Sequence, residues 1–250
     1  MTENEVRKSL RALFTMKLCI LHRSGSSFLQ DSEKDFHTKW GVVRSKDVKI
    51  GKIVSNTGEE FLCCPASQGD LLRNLKRKAQ VILPKDAAAI IAETGVHTES
   101  KVGDAGSGSG WLACFLGGIV KEVHSYEVRE DHKKVVDENI SRLGLKNVKT
   151  HLQDITQPIK EKGFDLFVLD MPTPWEALET MTAAIKQGGF LVVYLPHITQ
   201  SLQFVNGLSD SFLHLKTFET LQRAWMVEGK KARPETQQLH TGFISVCRKV

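Results

Sequence analysis

The chain has 250 residues, of which 41% are hydrophobic and 25% charged, with 19 glycines and 7 prolines. That composition excludes a disordered, collagenous or disulfide-scaffold protein and leaves room for one large domain or one domain with a small appendage. The net charge of +5 is mildly basic, so it permits a polyanionic partner without requiring one.

From the N-terminus, residues 7–20 mix Arg7, Lys8, Arg11 and Lys17 with Leu10, Leu13, Phe14, Leu18 and Ile20. This resembles a transit peptide superficially, but Glu3 and Glu5 oppose that reading, and a surface helix or first strand is the plainer one. Short apolar pieces follow at 17–21, 28–29, 41–43, 51–54 and 61–63, separated by turns at 24–27 and 55–58. Their spacing predicts a small β-rich unit over residues 1–68.

Over residues 69–250 the period changes. Residues 86–93, 131–143 and 175–186 read as helices, and 123–128, 148–152, 164–169 and 190–195 as strands. The runs at 164–169 and 190–195 are almost wholly apolar, which predicts strands buried on both faces in a parallel sheet covered by helices. A further helix is expected from Ile198 to about Ser211. Two β-like stretches, 213–227 and 241–247, then flank a polar segment at 230–238, consistent with a hairpin closing one edge of the sheet.

No apolar run approaches the roughly 20 residues that span a bilayer. The cysteines, Cys19, Cys63, Cys64, Cys114 and Cys247, are odd in number and form no C-x-x-C pair, as expected of packing residues in a reducing compartment, and a cytoplasmic protein is expected. The nine histidines are scattered without an H-E-x-x-H or similar arrangement, so no metal is expected.

The strongest local signal is Gly103-Asp104-Ala105-Gly106-Ser107-Gly108-Ser109-Gly110, leading into Trp111 and an apolar helix. Glycines there let the backbone turn sharply after a strand and approach a ligand, although a tight strand-to-helix turn needs the same residues. The dinucleotide fingerprint would require glycine at 111, where this chain has Trp111; bulk there suits a ligand without a pyrophosphate. Glu127 ends the next strand, 21 residues after Gly106, near the offset at which a carboxylate meets a ribose diol. A 2′-phosphate would be repelled. Asp154 follows the third strand, where it serves either a ligand or a turn.

Asp170 follows the run at 164–169 and precedes Met171-Pro172-Thr173-Pro174-Trp175. Two prolines hold the chain stiffly behind the carboxylate, which makes it either a catalytic group or the cap of the helix that Pro174 starts.

Together these residues resemble a class I S-adenosylmethionine-dependent methyltransferase. More closely, the chain resembles the tRNA adenine-58 N1-methyltransferase family in its bacterial and archaeal homo-oligomeric form, from about Phe28 to the C-terminus. The resemblance includes Phe36-His37-Thr38, Gly41, Gln80, Pro84-Lys85-Asp86, Tyr194-Leu195-Pro196, Thr199-Gln200 and His240-Thr241-Gly242-Phe243. It implies an α/β, Rossmann-like catalytic domain over 69–250 with the small N-terminal β domain, S-adenosylmethionine as cofactor, tRNA as substrate and a homotetramer. It further implies cofactor contacts at Ile82, Gly106, Gly108, Ser109, Gly110, Trp111, Glu127, His132, Asp154, Ile155 and Asp170, with Asp170 as the catalytic aspartate. Leu83 departs from the aromatic residue many relatives carry, and Lys39-Trp40 replaces a His-Lys pair.

For tRNA, His37, Arg77, Lys78, Lys230 and Arg233 are the candidate contacts, drawn partly from the basic clusters at 73–78 and 230–233, which are otherwise solvated faces. Competing readings are a class I methyltransferase acting on a protein or small molecule, a non-catalytic tRNA-binding subunit and, more distantly, a dinucleotide oxidoreductase. Non-catalytic subunits of the family lose the glycine loop and the aspartate, both of which this chain keeps.

Overall fold

The computed structural model describes residues 18–23, 25–236 and 240–250. The N-terminal basic stretch up to Lys17, Ser24 of the expected turn, and the end of the polar segment at Gln237 and Gln238 lie outside the described residues. The chain divides into two compact units, residues 1–75 and 76–250.

The first unit contains β1 (Leu18–Arg23), β2 (Ser26–Asp31), β3 (Phe36–Thr38), β4 (Gly41–Val43), β5 (Gly51–Val54), β6 (Glu60–Pro65) and α1 (Gln68–Arg73). Strands β2, β1, β6 and β5 form an antiparallel sheet in that order, and β3 and β4 a separate hairpin. Alternation along β6 puts Phe61 and Cys63 inside and Leu62 outside, so one face is core. Phe61 meets Phe36 and Trp40 edge-on, with Phe28 alongside. Sequence patterning does not single out α1, which is six residues long and starts with a capping box between Ser67 and Asp70.

The second unit runs α2 (Pro84–Thr94), β7 (Lys101–Ala105), α3 (Trp111–Gly117), β8 (Glu122–Glu127), α4 (Glu130–Leu143), β9 (Val148–Leu152), β10 (Phe164–Leu169), α5 (Leu178–Ala184), β11 (Ile185–Leu195), α6 (Ile198–Asn206), β12 (Phe212–Phe218), β13 (Trp225–Glu228), β14 (Lys231–Pro234) and β15 (Phe243–Lys249). Its seven-stranded sheet has the order β12-β15-β11-β10-β7-β8-β9. The strands from β7 to β11 are mutually parallel, and β15 runs antiparallel between β11 and β12. This is the expected doubly wound α/β sheet. Its centre is Phe164, Leu166, Phe167, Val168, Leu191, Val192 and Val193, all fully buried. Truncating Phe167 to alanine there would cost about 3–5 kcal/mol through lost burial and the cavity left behind.

Three elements differ from the sequence expectation. The helix expected over 175–186 is a 3₁₀ turn (Pro174–Ala177) followed by α5, and Ile185 and Lys186 already belong to β11. Lys249 Nζ donates to the carbonyls of Thr182 and Ile185, satisfying acceptors that a helix would otherwise satisfy by continuing. The helix after Ile198 stops at Asn206, where Gly207 ends it instead of the expected Ser211. The stretch 213–227 breaks after Phe218, and β13 pairs with β14 from the polar segment in a separate two-stranded hairpin. The edge closure expected of the two C-terminal stretches is made by β12 and β15.

Candidate active site

Strand β7 lies between β10 on one side and β8 on the other, so the chain order reverses beside β7. Open α/β sheets bind ligands at such a switch point, outside the carboxyl ends of the strands. Gly106 follows β7 and Asp170 follows β10, and the Asp170 N–H donates to Ala105 O at 2.8 Å. Gly106 has φ +84°, and a Cβ built on it would lie 1.8 Å from the Asp170 carbonyl oxygen. Glycine is therefore required for the two strand exits to meet.

Beyond it, the Gly106 and Ser107 N–H groups donate to Tyr126 O at 3.2 and 3.3 Å, folding the loop across the end of β8. Gly110, at φ +74°, turns the chain into α3; a Cβ there would press to 2.7 Å from Val136 Cγ1. Trp111 is buried and stacks on Phe115 one turn later.

Glu127 is held from three directions. Its Oε2 accepts from Gly108 N at 2.9 Å, and its Oε1 from Val128 N and Arg129 N at 2.9 and 3.0 Å. An ionised carboxylate has about four acceptor sites, which leaves one for a ligand hydroxyl. His132 stands behind it, Nδ1 3.8 Å from Oε2. Asp154 Oδ1 accepts from both the N–H and the hydroxyl of Thr156 at 2.9 Å, so it caps a turn while also lining the cavity beside Ile155.

That cavity, of about 330 Å³, is bounded by Gly106, Tyr126, Glu127, Asp154, Ile155 and Asp170. Its volume suits a small molecule. A second, narrow recess between Gln80, Ile82, Asp104, Ser107 and Trp111 shares Gly106 and Asp170 with it. Serine hydroxyls organise the recess: Ser125 Oγ donates to Asp104 Oδ2 at 2.8 Å and lies 2.6 Å from Ser107 Oγ.

The two aspartates are electrostatically unusual. Burial, reinforced by nearby Glu127 and opposed by the Ser125 hydrogen bond, pushes Asp104 up to about 6. Burial and the neighbouring Asp104 push Asp170 up to about 7. Two desolvated carboxyls facing one recess favour a cationic ligand, which would restore their ionised forms. Asp170 does not cap the following turn: Thr173 occupies that position, and its hydroxyl donates to Glu176 at 2.9 Å.

Ser109 has a different place from the one the glycine loop implies. It is almost fully buried, and its Oγ accepts from the N–H groups of Lys78 and Ala79 at 2.8 and 3.1 Å. Asn139 on α4 bonds Lys76 N, Lys76 O and Ser109 O at 3.0, 3.0 and 2.9 Å. Together they latch residues 76–79 to the glycine loop and so set Gln80, Val81 and Ile82 over the recess. The sequence does not single out Asn139 or Ser125, and it gives Asp104, within the glycine-loop segment, no role of its own; the one visible signal is a polar side chain at positions whose period predicts burial.

Asp86, fully buried on α2, accepts from Lys85 Nζ at 2.8 Å, Thr241 Oγ1 at 2.8 Å, Tyr194 Oη at 3.1 Å and Thr220 Oγ1. Three of the separate segments that carry the sequence resemblance are thereby joined. The basic candidates are dispersed: His37 is exposed on β3, Arg77 is exposed, Lys78 pairs with Asp131, and Lys230 and Arg233 are exposed on the β13–β14 hairpin. Leu83 is 37% exposed, and Lys39 Nζ lies 4.5 Å from the centre of the Trp40 ring.

Comparison with known proteins agrees with this geometry. A tRNA (adenine(57)-N(1)/adenine(58)-N(1))-methyltransferase TrmI from Methanocaldococcus jannaschii is 31% identical, over 94% of this chain and 95% of its own. Among solved structures, an S-adenosylmethionine-dependent O-methyltransferase from Thermotoga maritima superposes with a TM-score of 0.84 at 28% identity, covering 94% of this chain and 93% of its own. The tRNA (m1A58) methyltransferase TrmI of Aquifex aeolicus gives 0.79 at 25% identity, covering 93% and 96%. The model of the tRNA methyltransferase complex GCD14 subunit matches residues 71–243, spanning the glycine loop, Glu127 and Asp170, and the chain belongs to that family.

Proposed function

We propose that this protein transfers a methyl group from S-adenosylmethionine to N1 of adenosine 58 of tRNA, and of adenosine 57 where one is present. The observation that carries the reading is Asp170, set by Pro172 and Pro174 against Gly106 at the switch point, between the Glu127 cavity and the Asp104 recess. The residues fit the cofactor: Glu127 for a ribose hydroxyl, Ile155 with Asp154 for the adenine, and Gln80, Ile82 and Asp104 around the amino-acid end. Gly106, Gly108, Gly110 and Trp111 shape the path between them, and His132 supports Glu127.

When bound, the cofactor supplies a sulfonium methyl that needs no activation, so the protein's task is alignment. The target base must leave its stack, at a cost of a few kcal/mol recovered by contacts in the pocket. Methylation at N1 places positive charge on the base. Ionised Asp170 accepts a hydrogen bond from the exocyclic amine and stabilises that charge as it develops. Asp104, behind it, keeps the recess anionic.

Arg77, Lys78, His37, Lys230 and Arg233 are assigned to tRNA phosphates. The relative from Methanocaldococcus jannaschii, named for both positions, supports including adenosine 57. A homotetramer is favoured by the exposed Ile198 and Leu202 of α6, which line an apolar groove with Val205 of the same helix and His214 and Thr217 of β12 that a second copy would cover. Cytoplasmic placement rests on five free thiols. Among the described residues, no helix is long and apolar enough to cross a membrane.

Incubation of purified protein with unmodified tRNA and labelled cofactor, followed by mapping of the modified nucleotides, tests the proposal. N1-methyladenosine at 58 is expected. Label on protein carboxyl groups and none on tRNA would replace it with the reading of a class I methyltransferase acting on protein.

A further inference from the structure

Behind the cofactor cavity, on the edge of the sheet, His124 of β8, His151 of β9 and Glu161 of the following loop bring one ligand atom each within 4.8 Å of one another. In the register of β8 and β9, His124 pairs with Lys149 and Tyr126 with His151, so the two histidines are diagonal neighbours on one face. His124 Nδ1 lies 2.9 Å from His151 Nε2, and the rings stack at 5.2 Å. Their surroundings are those of a ligand set. Glu122 Oε1 lies 3.1 Å from the outer nitrogen of His124, Nε2, a buried atom otherwise without a hydrogen-bond partner. Lys149 fixes Glu122, and the Tyr126 hydroxyl donates to Glu161 at 3.0 Å. A carboxylate at the far side of a ligating imidazole, and a hydrogen bond to a ligating carboxylate, are the usual outer partners of metal ligands.

We propose that His124 Nδ1, His151 Nε2 and a Glu161 oxygen bind one late first-row divalent ion, zinc being the reference case. Two imidazoles and one carboxylate match its preferred donors. The proton now shared between the histidines moves to an outer ring nitrogen, His124 Nε2 facing Glu122 or His151 Nδ1, so both facing nitrogens become lone pairs with no net change of protonation. The ion joins β8, the edge strand β9 and the loop that runs from Asp154 to Glu161, and acts as a staple. The motif is invisible in sequence because its ligands come from two strands and a loop.

Cobalt(II) titration of the metal-stripped full chain tests this. About one equivalent is expected, with a visible d–d band and no thiolate charge-transfer band, which separates the site from the cysteines. Zinc, but not magnesium, should raise the melting temperature. H151Q and E161Q should each lose the band and weaken binding at least tenfold while keeping the wild-type thermal shift with S-adenosylhomocysteine, which reports an intact fold. Absence of the cobalt band in the wild type, or wild-type affinity in both variants, would overturn the proposal.

Discussion

Asp170 concentrates the chemistry and the cost of the site. Burial and Asp104 hold it protonated up to about 7, yet only its ionised form accepts a hydrogen bond from the exocyclic amine. Methyl transfer at saturating substrates should therefore rise with pH and level off. Its midpoint should lie below that of the unliganded site, because a sulfonium nearby favours the anion. The sign for stability is opposite. A carboxyl in an unfolded chain titrates near about 3.9, so the unliganded folded state holds this proton more tightly, and stability from this group falls as pH rises from about 4 through 7. Asp170→Asn removes that penalty: we expect the unliganded melting temperature at pH 8 to rise by a few degrees while transfer drops on the order of 10²-fold or more. Asp170→Ala should lose most transfer while keeping affinity for S-adenosylhomocysteine, whose neutral sulfur does not draw on the carboxylate. Wild-type-like turnover in either variant would refute the assignment.

Among the elements, the segment 76–82 shows how packing completes a site that no single motif encodes. Its latch is Ser109 below and Asn139 on α4. Asn139→Ala removes the side-chain partner of the Lys76 backbone groups and of Ser109 O, a loss of about 1–3 kcal/mol for the buried Ser109 bond and less for the part-buried Lys76 ones. The expected result is faster amide exchange confined to 76–82 and weaker cofactor binding with little change in kcat; unchanged exchange there would disprove the latch. The strands β9 and β10 were readable to the residue: turn residues bound both, and β10, an interior strand, needs apolar side chains on both faces. The strand ends that carry Glu127 and Asp170, of β8 and β10, were readable in the same way. The end of α5 was not readable, since the group that satisfies its last carbonyls is Lys249, distant in sequence. Nor was the β13–β14 hairpin, whose outward charges erase the apolar alternation. Ser109 is the instructive case: the glycine-loop pattern implies a ligand contact, and its hydroxyl instead bonds two backbone amides.

For the whole molecule, the net charge of +5 matters less than which cations are already paired. In the cluster before α2, Lys76 pairs with Glu138 and Lys78 with Asp131, so part of its field is cancelled locally. The hairpin carries Lys230, Lys231 and Arg233, all exposed, and forms its own two-stranded sheet apart from the seven-stranded one. Phosphate contacts release counterions, and each contributes roughly 0.7–0.9 to the slope of log affinity against log salt. If Lys230 and Arg233 each meet one phosphate, reversing both charges should lower tRNA affinity at physiological salt and flatten that slope by about 1.5. Affinity for S-adenosylhomocysteine should not change, since neither residue borders the cofactor cavity. Reversing Lys78 alone should do less to the slope, because Asp131 already neutralises it, and more to stability, because the reversed side chain would then face Asp131. Filter binding across a salt series separates the two. A double-reversal variant with the wild-type slope would remove the hairpin from the tRNA interface and leave Arg77 and His37 to carry it.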